Sequence, residues 1–410
     1  MRTSRARAVN SSALAAALGL ALLGVAATPA HAESVRDQQW HLDAMKADEA
    51  WKISTGRGVT VAVLDSGVDD TVADLRGQVV KGADFSLLSG DENNDIDNHG
   101  TGMAALIAAT GARGPAQGSY GLAPGAKILP VRIPYNQERW QQKNRVKETY
   151  AQSVAKAIRF AADSDAKIIN VSGGHSKSGP ELAEAVKYAL GKNKLIFAAV
   201  GNNADAGNEA QYPAATPGVV GVGGVDRKAA WWAKSETGPQ VDLAAPAVDI
   251  TNACSGGTQL CEGSGTSGAT ALTSAFAALL WSKHPEWTNN QVLRVMLNTA
   301  GKPKNGATRT DYIGYGTIRP RLALKSPGDP GPAHEYPLPD LAAAAAGRPS
   351  PAASKAAGGG AAGEEGKPVA AAPVADAGGP GTGLWIGLGV AAAAVLGAAV
   401  AVPVLRARRR

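Results

Sequence analysis

The sequence predicts an α/β fold built on a mainly parallel β-sheet with helices on both faces. Three observations predict it. Short β-branched and aliphatic runs, Val59–Leu64, Ile168–Val171, Lys194–Val200 and Val219–Val225, read as strands buried on both faces. Helical stretches alternate with the later runs, the rhythm of a parallel sheet with crossover helices. Asp65 closes the first run and is followed by Ser-Gly, which puts an acid at the carboxyl edge of the sheet, where such folds carry their sites.

Taken in order, Asp97-Asn-His99-Gly-Thr-Gly leads from a polar loop into an apolar helix that ends at Gly111. Gly121–Arg132 reads as a turn into another buried strand. Pro134–Thr149 is a polar insertion, either a surface loop or a wall of a binding groove, ahead of an Ala-rich helix that runs to about Asp163. Glu181–Leu190 reads as a helix, Val241–Leu243 continues the strands, and Val292–Asn298 is a surface-packing helix. The oxygens of Asp91–Asp97 are dense enough for calcium, but their spacing matches no defined loop, so a solvated loop is expected and no metal or cofactor is called for.

The chain is organised around Glu262–Trp281. Small residues give way at Ser267 to an Ala/Leu run with no breaker before Pro285, so a loop delivers Ser267 to the first turn of a buried helix. Unpaired N–H groups and the positive dipole end gather there, where an oxyanion would be stabilised. An isolated Gly-Thr-Ser is ordinarily an N-cap. Asp65 and His99, each at an element boundary, point beyond that. A His can take the proton of Ser267, while an Asp fixes the imidazole's tautomer and stabilises its charged form.

With these residues in view, the chain resembles the subtilisin-like serine proteases, and the fold expected is subtilisin-like. The resemblance rests on Val-Ala-Val-Leu-Asp65-Ser-Gly, His99-Gly-Thr-Gly and Gly-Thr-Ser267-Gly-Ala, and runs from about Gln38 to Leu324. It implies a catalytic Asp65, His99 and Ser267. Phe197-Ala-Ala-Val-Gly-Asn202 resembles the segment carrying the oxyanion-hole asparagine. Ile168-Ile-Asn-Val-Ser172-Gly173-Gly174 resembles the strand that pairs with substrate. Three positions depart from the usual pattern: Gly102 where a second histidine is common, Ala271 in place of a proline, and Ser172-Gly-Gly174 without the usual intervening leucine. The last bears on the pocket for the residue before the cut.

The ends of the chain add a topology. Residues 1–32 read as a signal peptide, with an arginine-bearing start, an apolar core and Ala30-His-Ala32; an uncleaved anchor is the other reading. A catalytic domain over 33–325 follows almost at once, leaving no room for a long propeptide. The two cysteines, Cys254 and Cys261, read as a disulfide in an exported protein, closing a ring of about eight residues worth ~2–3 kcal/mol. Residues 326–383, rich in Pro, Ala and Gly, read as a disordered linker spanning ~40 Å as a coil. Residues 384–405 supply an uncharged apolar run long enough to cross a bilayer, and the arginines of 406–410 place that end in the cytoplasm.

The formal charge of +6 belongs to those ends: without the seven terminal arginines, 34 basic residues face 35 acidic ones, so no nucleic-acid partner is implied. The layout most resembles the membrane-anchored mycosins of type VII secretion. It implies an extracytoplasmic serine endopeptidase acting on proteins or peptides, held to the cell membrane by one helix and associated with a secretion complex. The alternatives are a broad-specificity cell-surface subtilase, or a structural channel subunit with little proteolytic activity.

Overall fold

The computed structural model describes residues 33–135 and 143–346. The expected signal peptide, membrane helix and basic tail, most of the linker and the tip of the insertion lie outside the described residues. Among the described residues no helix is long and apolar enough to cross a membrane.

The strands of the main sheet are β1 (Thr60–Asp65), β2 (Ala83–Asp84), β3 (Lys127–Arg132), β4 (Ile168–Val171), β5 (Leu195–Ala199), β6 (Val220–Val225) and β7 (Leu243–Pro246). They lie in the order β2-β3-β1-β4-β5-β6-β7, and every pairing is parallel. The strands flanking β1 and β4 run off in opposite directions, so a crevice opens beyond the carboxyl ends of that adjacent pair.

Alternation along each strand explains why the runs are apolar without interruption. Val61, Val63, Leu195 and Phe197 enter one core, while Ala62, Leu64, Ile196 and Ala198 enter the other. The longer helices are α1 (His99–Ala108), α2 (Lys143–Asp163), α3 (Pro180–Gly191), α4 (Thr266–Lys283) and α5 (Asn289–Thr299). The first core takes in α1, α4 and α5, and the second takes in α2 and α3. Helix α4 is buried from Thr266 to Trp281, which accounts for a sequence apolar on all sides.

Two features differ from the sequence reading. Cys254 and Cys261 are bonded, but within a β-hairpin of β8 (Ile250–Ala253) and β9 (Leu260–Gly263) that no alternating pattern announces. Residues 326–346, assigned to the linker by composition, instead lie along the domain. Arg294 donates to the carbonyls of Pro330, Pro332 and Glu335, Gln291 to that of Gly331, and Thr288 to that of Ala333. Leu338 is buried, and Asp340 accepts from the Gly218 N–H. Composition weighs only apolar burial; backbone carbonyls met by side-chain donors hold a proline-rich segment without much of it.

Candidate active site

Asp65 is the last residue of β1 and fully buried. His99 opens α1, and its Nδ1 lies 2.8 Å from Asp65 Oδ1. Gly100 permits this approach, since a Cβ there would stand 2.0 Å from the Gly67 carbonyl oxygen and 3.0 Å from Asp65 Cβ. Burial alone would lower the His99 pKa, but the charge and hydrogen bond of Asp65, with the charges of Asp95 and Asp97, outweigh it and raise it above 6.5. A carboxylate engaging one ring nitrogen leaves the other as a base.

Ser267 is the second residue of α4, behind the N-cap Gly265, so it is not the cap. Its hydroxyl donates to the Ser172 carbonyl at 2.9 Å, and the Ser172 hydroxyl donates to the Ser267 carbonyl at 3.2 Å. Behind them, Ser274 donates to Asn170 and Asn170 to Ser172, each at 2.9 Å. This buried chain fixes the start of α4 against the end of β4.

Asn202 follows β5. Its Oδ1 accepts from the Thr266 N–H at 2.8 Å and the Thr266 hydroxyl at 3.0 Å. The carbonyl half of the amide is therefore engaged, and the NH2 half is the donor left at the start of α4. A Cβ on Gly265 would stand 3.6 Å from Asn202 Nδ2. Asp65, His99, Ser172, Asn202 and Ser267 thus come from three neighbouring strands and two helix starts at one edge of the sheet. The structure joins Asp65 to His99, and Ser267 to Ser172, by direct hydrogen bonds.

Several residues that support this edge carry no sequence motif. Asp95, in the loop considered for calcium, accepts from the Ser66 hydroxyl at 2.7 Å and the Thr101 N–H at 2.8 Å, tying the end of β1 to α1. Asn98 adopts φ 59° and binds the backbone of Ser255 in the disulfide hairpin. Tyr135 stacks on the His99 ring, with centroids 4.4 Å apart. Where the substrate strand lacks its usual leucine, a Cβ on Gly173 would meet Tyr135 at 3.1 Å and the Tyr150 hydroxyl oxygen at 3.3 Å. At Gly102, Asn252 Oδ1 stands 3.1 Å from where a Cβ would lie.

Residues 56–316 match the subtilase family. A thermophilic serine proteinase from Bacillus sp. (strain AK1) is 36% identical over 273 residues, covering 66% of this chain, and this chain spans 63% of that protein's length. Mycosin-1 of Mycobacterium tuberculosis is 32% identical over 346 residues, covering 72% of this chain and 75% of the mycosin. Among solved structures, the serine protease MycP1, described as an essential component of the type VII (ESX-1) secretion system, is 30% identical with a TM-score of 0.61, covering 72% of this chain and 90% of MycP1. A chain of the periplasmic assembly from the ESX-5 inner membrane complex is 27% identical with a TM-score of 0.62, covering 76% of this chain and 89% of that one.

Proposed function

The chain belongs to the subtilase family, and from that premise we propose that it is a serine endopeptidase of mycosin type, working outside the cytoplasm beside a type VII secretion complex. The observation that carries the catalytic reading is the 2.8 Å contact of Asp65 with His99 on the same sheet edge as Ser267 and Asn202. His99 takes the Ser267 proton as the hydroxyl oxygen attacks a peptide carbonyl. The oxygen leaves its ground-state bond to Ser172 as it does so. Asn202 Nδ2 and the Ser267 N–H, at the positive end of α4, hold the tetrahedral oxyanion. His99 then protonates the leaving amine, and water releases the acyl group by the reverse sequence. The acyl side of the substrate lies extended along Ser172–Gly174.

The placement rests on the proposed export signal at 1–32 and membrane helix at 384–405, and on the mycosin and ESX relatives. The test uses the full chain in detergent. Hydrolysis of an unfolded protein substrate is expected from the wild type and lost in Ser267→Ala. Equal hydrolysis by both rejects the mechanism. Isolation from native membranes together with secretion-complex subunits is expected. Recovery of the chain alone favours a free-standing surface protease.

A further inference from the structure

We propose that the slot between Ser172–Gly174 and Gly201–Asn203 selects a cationic side chain, lysine or arginine, at the residue before the cut, through Gln211 and Glu236 at its closed end. The inference rests on the protease reading above and deepens it by naming a substrate class.

The slot follows from strand order. β4 and β5 are parallel neighbours, with Val171 opposite Ala198, so the segments that leave them run side by side beyond the same edge. A substrate whose carbonyl oxygen faces Asn202 while its backbone pairs with Ser172–Gly174 must drop its side chain between those segments. The far end is closed: His175 and Tyr212 exchange backbone hydrogen bonds at 3.0 and 2.8 Å. Gln211 is thereby pressed against Gly174, where a Cβ would stand 2.9 Å from Gln211 Cβ and 3.5 Å from its Oε1. Gln211 Nε2 donates to the Glu209 carbonyl at 2.9 Å, leaving Oε1 as the acceptor at the slot's end.

Glu236 backs that acceptor. Its N–H donates to the Gly201 carbonyl at 3.1 Å, and its carboxyl fills the space a side chain at Gly201 would take, 2.4 Å from the Cβ position. Gly201, at φ +115°, supplies both the room and the backbone. Glu236 is fully buried, and neither carboxyl oxygen makes a hydrogen bond. A buried acid left this way is costly to ionise. Burial accordingly raises its pKa to about 7, against the pull of the Asn203 N–H and the Gln211 amide, which face it without reaching bonding geometry. The charge that acts on it is Glu209, a second carboxylate, which raises it further. An arriving ammonium or guanidinium meets the Gln211 acceptor and relieves the cost of ionising Glu236, whereas an apolar side chain offers neither. Glu236 is neutral below about pH 7 and charged above it, so the preference strengthens as pH rises through that value.

The test measures binding, so it does not depend on turnover. The full chain in detergent, carrying Ser267→Ala, is titrated with peptides identical except for a C-terminal Lys, Arg or Leu. At pH 8 the cationic peptides are expected to bind about 10-fold more tightly than the Leu peptide, with a smaller ratio at pH 6. Glu236→Gln is expected to remove the pH dependence and most of the ratio, and Gln211→Leu to lower the ratio at both pH values. Equal or tighter binding of the Leu peptide at pH 8 overturns the proposal, as does a ratio unchanged by Glu236→Gln. The protease reading fails separately, if a fluorophosphonate without a side chain leaves wild-type Ser267 unmodified while the cationic preference holds.

Discussion

The side chain of Asn98 holds both backbone groups of Ser255, accepting from its N–H at 2.9 Å and donating to its carbonyl at 3.4 Å. Residue 98 is the N-cap of α1, in the left-handed region at φ 59°, and His99 comes next. The disulfide hairpin is thereby fastened to the start of the helix that carries the imidazole. Asn98→Gly keeps the backbone conformation and removes the clasp. It is expected to lower kcat about 10-fold with little change in KM, as misplacement of a catalytic group does. Replacing both cysteines by serine should cost ~2–3 kcal/mol in denaturant unfolding, in line with a short closed ring.

With His99 as the proposed base, its raised pKa is expected to set the acid side of the activity profile. Because the base must be neutral, kcat/KM should climb with pH through a midpoint above 6.5. Asp65→Asn removes the largest influence raising that pKa, so the midpoint should move down while the plateau falls ~10⁴-fold. The sign for stability is opposite. A histidine whose folded pKa is raised stabilises the fold when protonated, and this contribution is lost as pH rises through the folded value.

Asn202 is held by Thr266 through its carbonyl oxygen, so the proposed oxyanion donor is its NH2 group alone. Asn202→Ala should lower kcat by ~10²–10³ with KM nearly unchanged, the pattern of a donor engaged only in the transition state. Asn202→Asp should be no better, since it keeps the acceptor and loses the donor.

Arg294 gathers three carbonyls of the 330–335 segment. Arg294→Ala should open that segment without unfolding the domain, so a trace of glutamyl endopeptidase should cleave after Glu335 several-fold faster at an unchanged melting temperature. Unchanged cleavage would mean that Leu338 and Asp340 suffice to hold it.

The fold was legible because β1, β4, β5 and β6 are buried on both faces, leaving continuous apolar runs whose bounds the structure moves by a residue or so. Asp65, His99, Asn202 and Ser267 were legible because each sits where an element begins or ends beside small residues. Asp95 was not: among the five other polar and acidic positions of Asp91–Asp97, nothing marks the one turned inward toward Ser66 and Thr101. Glu236 was not, because its significance depends on Gly201, 35 positions earlier, lacking a side chain. The β8–β9 hairpin escaped because its outer strand, Leu-Cys-Glu-Gly, is short, mostly exposed and without alternation. The packing of 326–346 escaped because Arg294 recognises backbone, and backbone carbonyls leave no mark on composition.

The most direct measurement is the reaction of the full chain with a fluorophosphonate, followed by mass analysis of the labelled peptide. One adduct is expected, on Ser267, forming faster as pH rises through a midpoint above 6.5 and absent from Ser267→Ala and His99→Ala. An unmodified Ser267 in the wild type, or equal labelling after His99→Ala, would contradict the proposed mechanism.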